Sequence, residues 1–206
     1  MVDRVAVFID YQNVYKSARN AFFPGSGNHV EGQIHPLALG RLLAGGPTDP
    51  TRQCVSVRIY RGLPSNERDP KGYSATQRQM AFWNTLPGVT ACTRALNYRD
   101  PHNPKEKGID VLLAVDLVLG AARNEYDVGI VCSHDTDLVP AMEAVVAMKG
   151  DKACETAIWK PSDGSPIHLL SVKGHVIRRH ALVRRFYDLV RDDTDYTAKR
   201  KRTTRS

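Results

Sequence analysis

RVAVFIDYQN (Arg4–Asn13) decides the fold. Arg4 to Ile9 is a short apolar, β-branched run that reads as a buried strand, and it breaks directly into a polar corner, Asp10 to Asn13, followed by a helical stretch to about Phe22. The same grammar returns at YDVGIVCSHDTD (Tyr126–Asp137), a strand ending in a polar string. There a helix resumes, with Leu138, Ala141, Met142, Val145 and Val146 at i, i+3, i+4, i+7 and i+8 and Pro140 early enough for a first turn. Two strands that each deliver acids into the start of a helix point to an open parallel sheet.

Working outward, further strands are expected at Cys54–Tyr60, Val89–Ala95 and Ala153–Trp159, and helices at Pro36–Ala44, Ser74–Leu86 and Gly108–Arg123. Strands alternating with helices predict an α/β fold, a three-layer α/β/α sandwich around a mostly parallel central sheet. Ile167 to Val190 reads as a short helix, a strand and another helix, and residues after Asp192 as a mobile basic tail. The expected organisation is a domain over 1–160, an extension packed on it over 161–192, and the tail over 193–206.

The chain has 206 residues, 42% hydrophobic and 25% charged, which suits one folded domain and excludes wholesale disorder. The apolar run Ile109–Ala122 is broken by carboxylates and falls short of a bilayer span, so no membrane association is expected. The N-terminus enters a strand at once, without the succession of a secretory signal, which predicts a cytoplasmic protein. Cys54, Cys92, Cys132 and Cys154 lie far apart and read as reduced core residues, and no zinc-ligand spacing accompanies them. The net charge of +7 is concentrated: Lys173 to Ser206 holds eleven Lys and Arg against four Asp, while residues 1–172 carry eighteen of each sign. A neutral body with a basic end suits an arm for a polyanion, through Arg184, Arg185, Lys199, Arg200, Lys201 and Arg202, or a solubilising tail.

In an open parallel sheet the functional crevice lies outside the carboxyl ends of the strands. Asp10 follows the first strand, and Asp135 and Asp137 follow the fourth. Capping explains each of them singly. Together, on one rim, ionised acids repel unless a cation sits among them, and a hard divalent ion is the simplest remedy. Asp110 and Asp116 are the charged residues of the apolar helix, about 120° apart around its axis and about 9 Å apart along it, so they do not both ligate one ion. Asp110 faces the loop side, and Asp116 is a supporting or hydrogen-bonded core acid.

The strings VAVFIDYQN (Val5–Asn13), KGIDVLLAVDLV (Lys107–Val118) and VCSHDTDLVPAMEA (Val131–Ala144), in that order and at those intervals, resemble the NYN domain of the PIN-like nuclease superfamily, LabA-like branch. The resemblance covers about residues 4 to 160. It implies a PIN-like (Rossmann-like) sandwich whose clustered acids hold Mg²⁺ or Mn²⁺ for hydrolysis of RNA, with no small organic cofactor. Carried over, Asp10, Asn13, Asp110, Asp116, Asp135 and Asp137 form the catalytic set, with Asp10, Asp110, Asp135 and Asp137 as metal ligands. Lys107 is placed to touch a phosphate oxygen. Tyr11 and His134 stand where Gly is usual, and Leu138 where Phe is usual; histidine is less free than glycine in the corner that places Asp135. A non-catalytic RNA-binding module with the same fold remains the alternative. A haloacid-dehalogenase or receiver-type phosphotransfer domain fits poorly, because Gln12 occupies the position of the second acid the former needs.

Overall fold

A computed structural model describes residues 2–100 and 104–198. Six strands form one sheet: β1 (Asp3–Asp10), β2 (Arg52–Leu63), β3 (Val89–Ala95), β4 (Val128–Cys132), β5 (Cys154–Trp159) and β6 (Arg178–Leu182). Their order is β3-β2-β1-β4-β5-β6, and every neighbouring pair is parallel. Six α-helices cross over them: α1 (Tyr11–Phe22), α2 (Pro36–Leu43), α3 (Pro70–Trp83), α4 (Ile109–Ala122), α5 (Val139–Lys149) and α6 (Arg184–Val190).

Alternation along β1 divides the core. Val5, Val7 and Ile9 pack with residues of α1, α2 and α6 and with Trp83 of α3, whereas Ala6 and Phe8 pack with Leu113 and Leu117 of α4 and Met142 and Val145 of α5. The three-layer sandwich follows from this division. β1 and β4 are neighbours, with Ile9 opposite Cys132, and the chain leaves β1 toward one face and β4 toward the other. That reversal of strand order opens a crevice at their carboxyl ends.

The structure departs from the expected elements where caps and strand pairing outweigh spacing. α3 starts at Pro70 because Asp69 caps it, accepting from the Gly72 amide at 2.8 Å, with Pro70 in the first turn. β2 runs past Cys54–Tyr60 at both ends because it is paired on both sides. No helix forms between 161 and 177. β6 and α6 both form, so the segment 161–192 supplies the sixth strand of the sheet itself. Residues 193–198 do not trail away as a mobile tail. The Tyr196 carbonyl accepts from Arg78 Nε at 2.7 Å, its hydroxyl donates to Asp192, and Asp195 pairs with His29 at 3.0 Å.

Candidate metal and nucleic-acid site

Asp10 ends β1 and caps α1: its Oδ1 accepts from the Asn13 amide at 3.1 Å. Its Oδ2 accepts from Ser133 Oγ at 3.1 Å, which ties the end of β1 to the end of β4. The Asp135 amide donates to the same Ser133 Oγ, and the His134 amide donates to Asn13 Oδ1 at 3.3 Å. Two strand ends are therefore laced into one corner. Asp135 caps the following 3₁₀ turn, accepting from the Asp137 amide at 3.0 Å. Capping and site-building are thus done by the same carboxylates, each of which keeps lone pairs for a further partner.

His134 holds an ordinary backbone: Asn124 is the only non-glycine of positive φ among the described residues. The corner that glycine usually forms is accommodated here without strain.

The crevice is a cavity of about 700 Å³ onto which Asp10, Asn13, Lys16, Glu106, His134 and Asp135 face. Burial pushes the Asp10 carboxyl up to about 6, against the hydrogen bonds from Asn13 and Ser133, and the charges of Glu106 and Asp135 push it further the same way. Glu106 was not anticipated. It belongs to the loop before α4, and its Oε1 accepts from the Gly62 amide at the end of β2, which fixes it beside the crevice. Its only sequence signal was an acid beside Lys107 and Gly108, indistinguishable from a solvated loop charge.

The remaining residues lie elsewhere. Asp110, in the first turn of α4, and Asp137, exposed, line a separate groove between α4 and α5 with Val111, Val115 and Ala141. Neither faces the cavity that holds Asp10. Asp116, half-buried, accepts from the Tyr60 hydroxyl at 2.8 Å and stands 4.0 Å from Arg58. That bond and burial together raise the Tyr60 pKa. Lys107 is exposed. Arg184 is a strut: it pairs with Asp188 at 2.9 Å, donates to the Phe22 carbonyl and lies 4.5 Å from the Phe23 ring centre. Arg185 lies 4.8 Å from the Phe186 ring centre. Lys199, Arg200, Lys201 and Arg202 fall outside the described residues.

Among the described residues no three His, Cys, Asp or Glu side chains form a ready metal cage. Magnesium does not require one, since it is commonly held by one or two carboxylates with waters and substrate phosphate. Asp10 and Asp135, hard oxygen donors with Glu106 adding negative charge, fit such an ion.

The family model described as NYN domain matches residues 4–175. The chain is also similar to the crystal structure of a protein of unknown function from Vibrio parahaemolyticus, with a TM-score of 0.50 and 20% identity over 76% of this chain and 81% of that one. That likeness is one of fold. No curated protein matches the chain.

Proposed function

The chain belongs to the NYN domain family, and on that premise we propose that it is a metal-dependent ribonuclease of the LabA-like branch, hydrolysing RNA phosphodiester bonds in the cavity beside Asp10. One observation carries the proposal: Asp10, Asp135 and Glu106, from three separate segments, face a single cavity at the switch point of the sheet, where burial and mutual repulsion hold Asp10 near 6. The chemistry of those donors suits Mg²⁺ or Mn²⁺, held by Asp10 and Asp135. The ion, when bound, supplies charge neutralisation and Lewis acidity toward a phosphodiester.

The protein's own groups prepare the site. Asn13 and Ser133 fix both oxygens of Asp10, so the carboxylate is oriented before any ligand arrives. The Asn13 carboxamide also pins the corner that carries Asp135. Glu106 is placed to accept a proton or orient a water on the β2 side of the cavity. Lys16, exposed at the rim, offers a point charge to a non-bridging oxygen, as Lys107 does from the loop ahead of α4. Asp110 and Asp137 receive no ligand role, and Asp116 supports Tyr60.

The test is incubation of the purified full chain with labelled single-stranded RNA, with Mg²⁺ or Mn²⁺ and then with chelator. Cleavage is expected to stop in chelator and to fall by about 10²-fold or more in Asp10→Asn and Asp135→Asn. Cleavage that ignores chelator, or survives both substitutions, overturns the mechanism. The alternative is a non-catalytic RNA-binding module with the same fold; tight RNA binding with no metal-dependent turnover selects it.

A further inference from the structure

Arg61 is the penultimate residue but one of β2 and emerges at the same sheet edge as Asp10, whose register partner is Tyr60. Strand alternation sends Tyr60 to the α4 face and Arg61 to the opposite one, between α1 and α3. There its guanidinium lies 4.8 Å from the centre of the Tyr11 ring and 6.0 Å from that of Trp83. It donates to Gln79 Oε1, and the Gln79 amide nitrogen donates in turn to the Tyr11 hydroxyl at 2.9 Å and to Gln33 Oε1 at 2.8 Å. Those two bonds lock the glutamine with its oxygen toward the arginine.

A guanidinium offers five N–H donors in a planar fork. Among the described residues no carboxylate lies within 4.0 Å of Arg61, although Arg4, Arg52, Arg58 and Arg184 each have one. Burial lowers the Arg61 pKa, the mark of a desolvated cation. An unpaired, partly desolvated cation is costly unless an anion joins it. Space for one exists. Arg61 lines a cavity of about 230 Å³ beside Tyr15 and Gln79 and a second of about 500 Å³ beside Lys105. Gln12, Lys16 and Glu106 border both the second cavity and the one containing Asp10 and Asp135, so the two hollows adjoin across these three side chains.

We propose that Arg61 is the centre of a second anion subsite, taking a backbone phosphate of single-stranded RNA next along the strand from the phosphate held beside Asp10. The proposal rests on the ribonuclease function above. The fork suits bidentate phosphate recognition, and the Tyr11 and Trp83 rings hold its plane fixed. The subsite positions the strand without reading its sequence.

The test is fluorescence anisotropy of the full chain with a labelled single-stranded RNA, in chelator so that nothing is cut, across a salt series. Arg61→Gln, which removes the charge but not the polar stem, is expected to raise Kd about tenfold and to reduce the slope of log K against log salt by roughly 0.7, as expected when one phosphate is no longer neutralised. Unchanged Kd and slope would show that Arg61 only braces Tyr11 and Trp83, and would overturn the subsite. Where the variant fails to fold, the wild type decides: a 5′-phosphorylated dinucleotide is expected to shift the Arg61 Nε–Hε resonance while a phosphate-free nucleoside does not, and equal silence of both overturns it. Wild-type protein that binds RNA in chelator but never cuts it would remove the catalytic function and leave the subsite standing; wild-type protein that binds no RNA removes both.

Discussion

Asp10 is held against its own ionisation. Its carboxyl rises from an ordinary value near 3.8 to about 6 because it is buried and faces Glu106 and Asp135. The folded state therefore binds this proton more tightly than the unfolded chain does. Its stabilising contribution is complete below about pH 4, fades between pH 4 and 6, and above that the ionised group opposes folding by about 3 kcal/mol. Asp10→Asn, which keeps the cap, is expected in chelator at pH 7.5 to raise Tm by roughly 5 °C and to flatten the dependence of Tm on pH between 4 and 7. Wild type and variant with the same Tm at pH 7.5 would contradict that account. The places of Asp10, Asn13 and Asp135 at the sheet edge were legible in the sequence because each follows a β-branched run within a few residues. Glu106 and Arg61 were not, since an acid in a charged loop and an arginine in a strand acquire meaning only from what packs beside them.

At the scale of elements, strands and crossovers were readable from β-branched runs and helical spacing, and the misreadings fall where spacing is silent. The start of α3 hung on the Asp69 cap. Asp110 and Asp137 line a groove between α4 and α5 and not the cavity with Asp10: α4 is apolar nearly all round, so its sequence says little about which side meets the crevice and which meets α5. Asp110→Asn is accordingly expected to leave RNA cleavage within about threefold of wild type, measured beside Asp10→Asn; a loss as deep in both would return Asp110 to the site. The seat of α2 makes a separate prediction. A Cβ on Gly40 would lie 2.5 Å from Val57 Cγ2 and 3.0 Å from Cys54 Sγ, and the stiff valine has no room to yield. Gly40→Ala is expected to destabilise by about 1–3 kcal/mol in urea titration, in spite of alanine's better helix propensity. Equal or greater stability would mean that α2 stands off the sheet.

Across the whole molecule, charge and topology divide the labour. The strand order puts the crevice between β1 and β4, while the excess positive charge is carried by residues 173–206. Part of that segment is structural: β6, α6 and the docked Tyr196 belong to the body. Truncation after Ala198 removes five of the basic residues and is expected to leave Tm within about 1 °C while reducing the salt slope of RNA binding by up to about 3.5, at about 0.7 for each phosphate no longer neutralised. Truncation after Asp192 should also lower Tm by a few degrees, because the hydrogen bonds and ion pair of Tyr196 and Asp195 go with it. A tail that only solubilises would leave the salt slope unchanged. The composition revealed the asymmetry of charge, whereas the docking of residues 193–198 depended on pairings 118 and 166 residues apart in sequence.

The most direct test of the acid site is a titration of the full chain with Mn²⁺, free ion being followed by electron paramagnetic resonance. The wild type is expected to take up the ion, Asp10→Asn and Asp135→Asn to lose that uptake by at least tenfold in Kd, and Asp110→Asn to retain it. Undiminished uptake by the Asp10 and Asp135 variants, or a loss confined to Asp110→Asn, would contradict a cation site at the junction of β1 and β4.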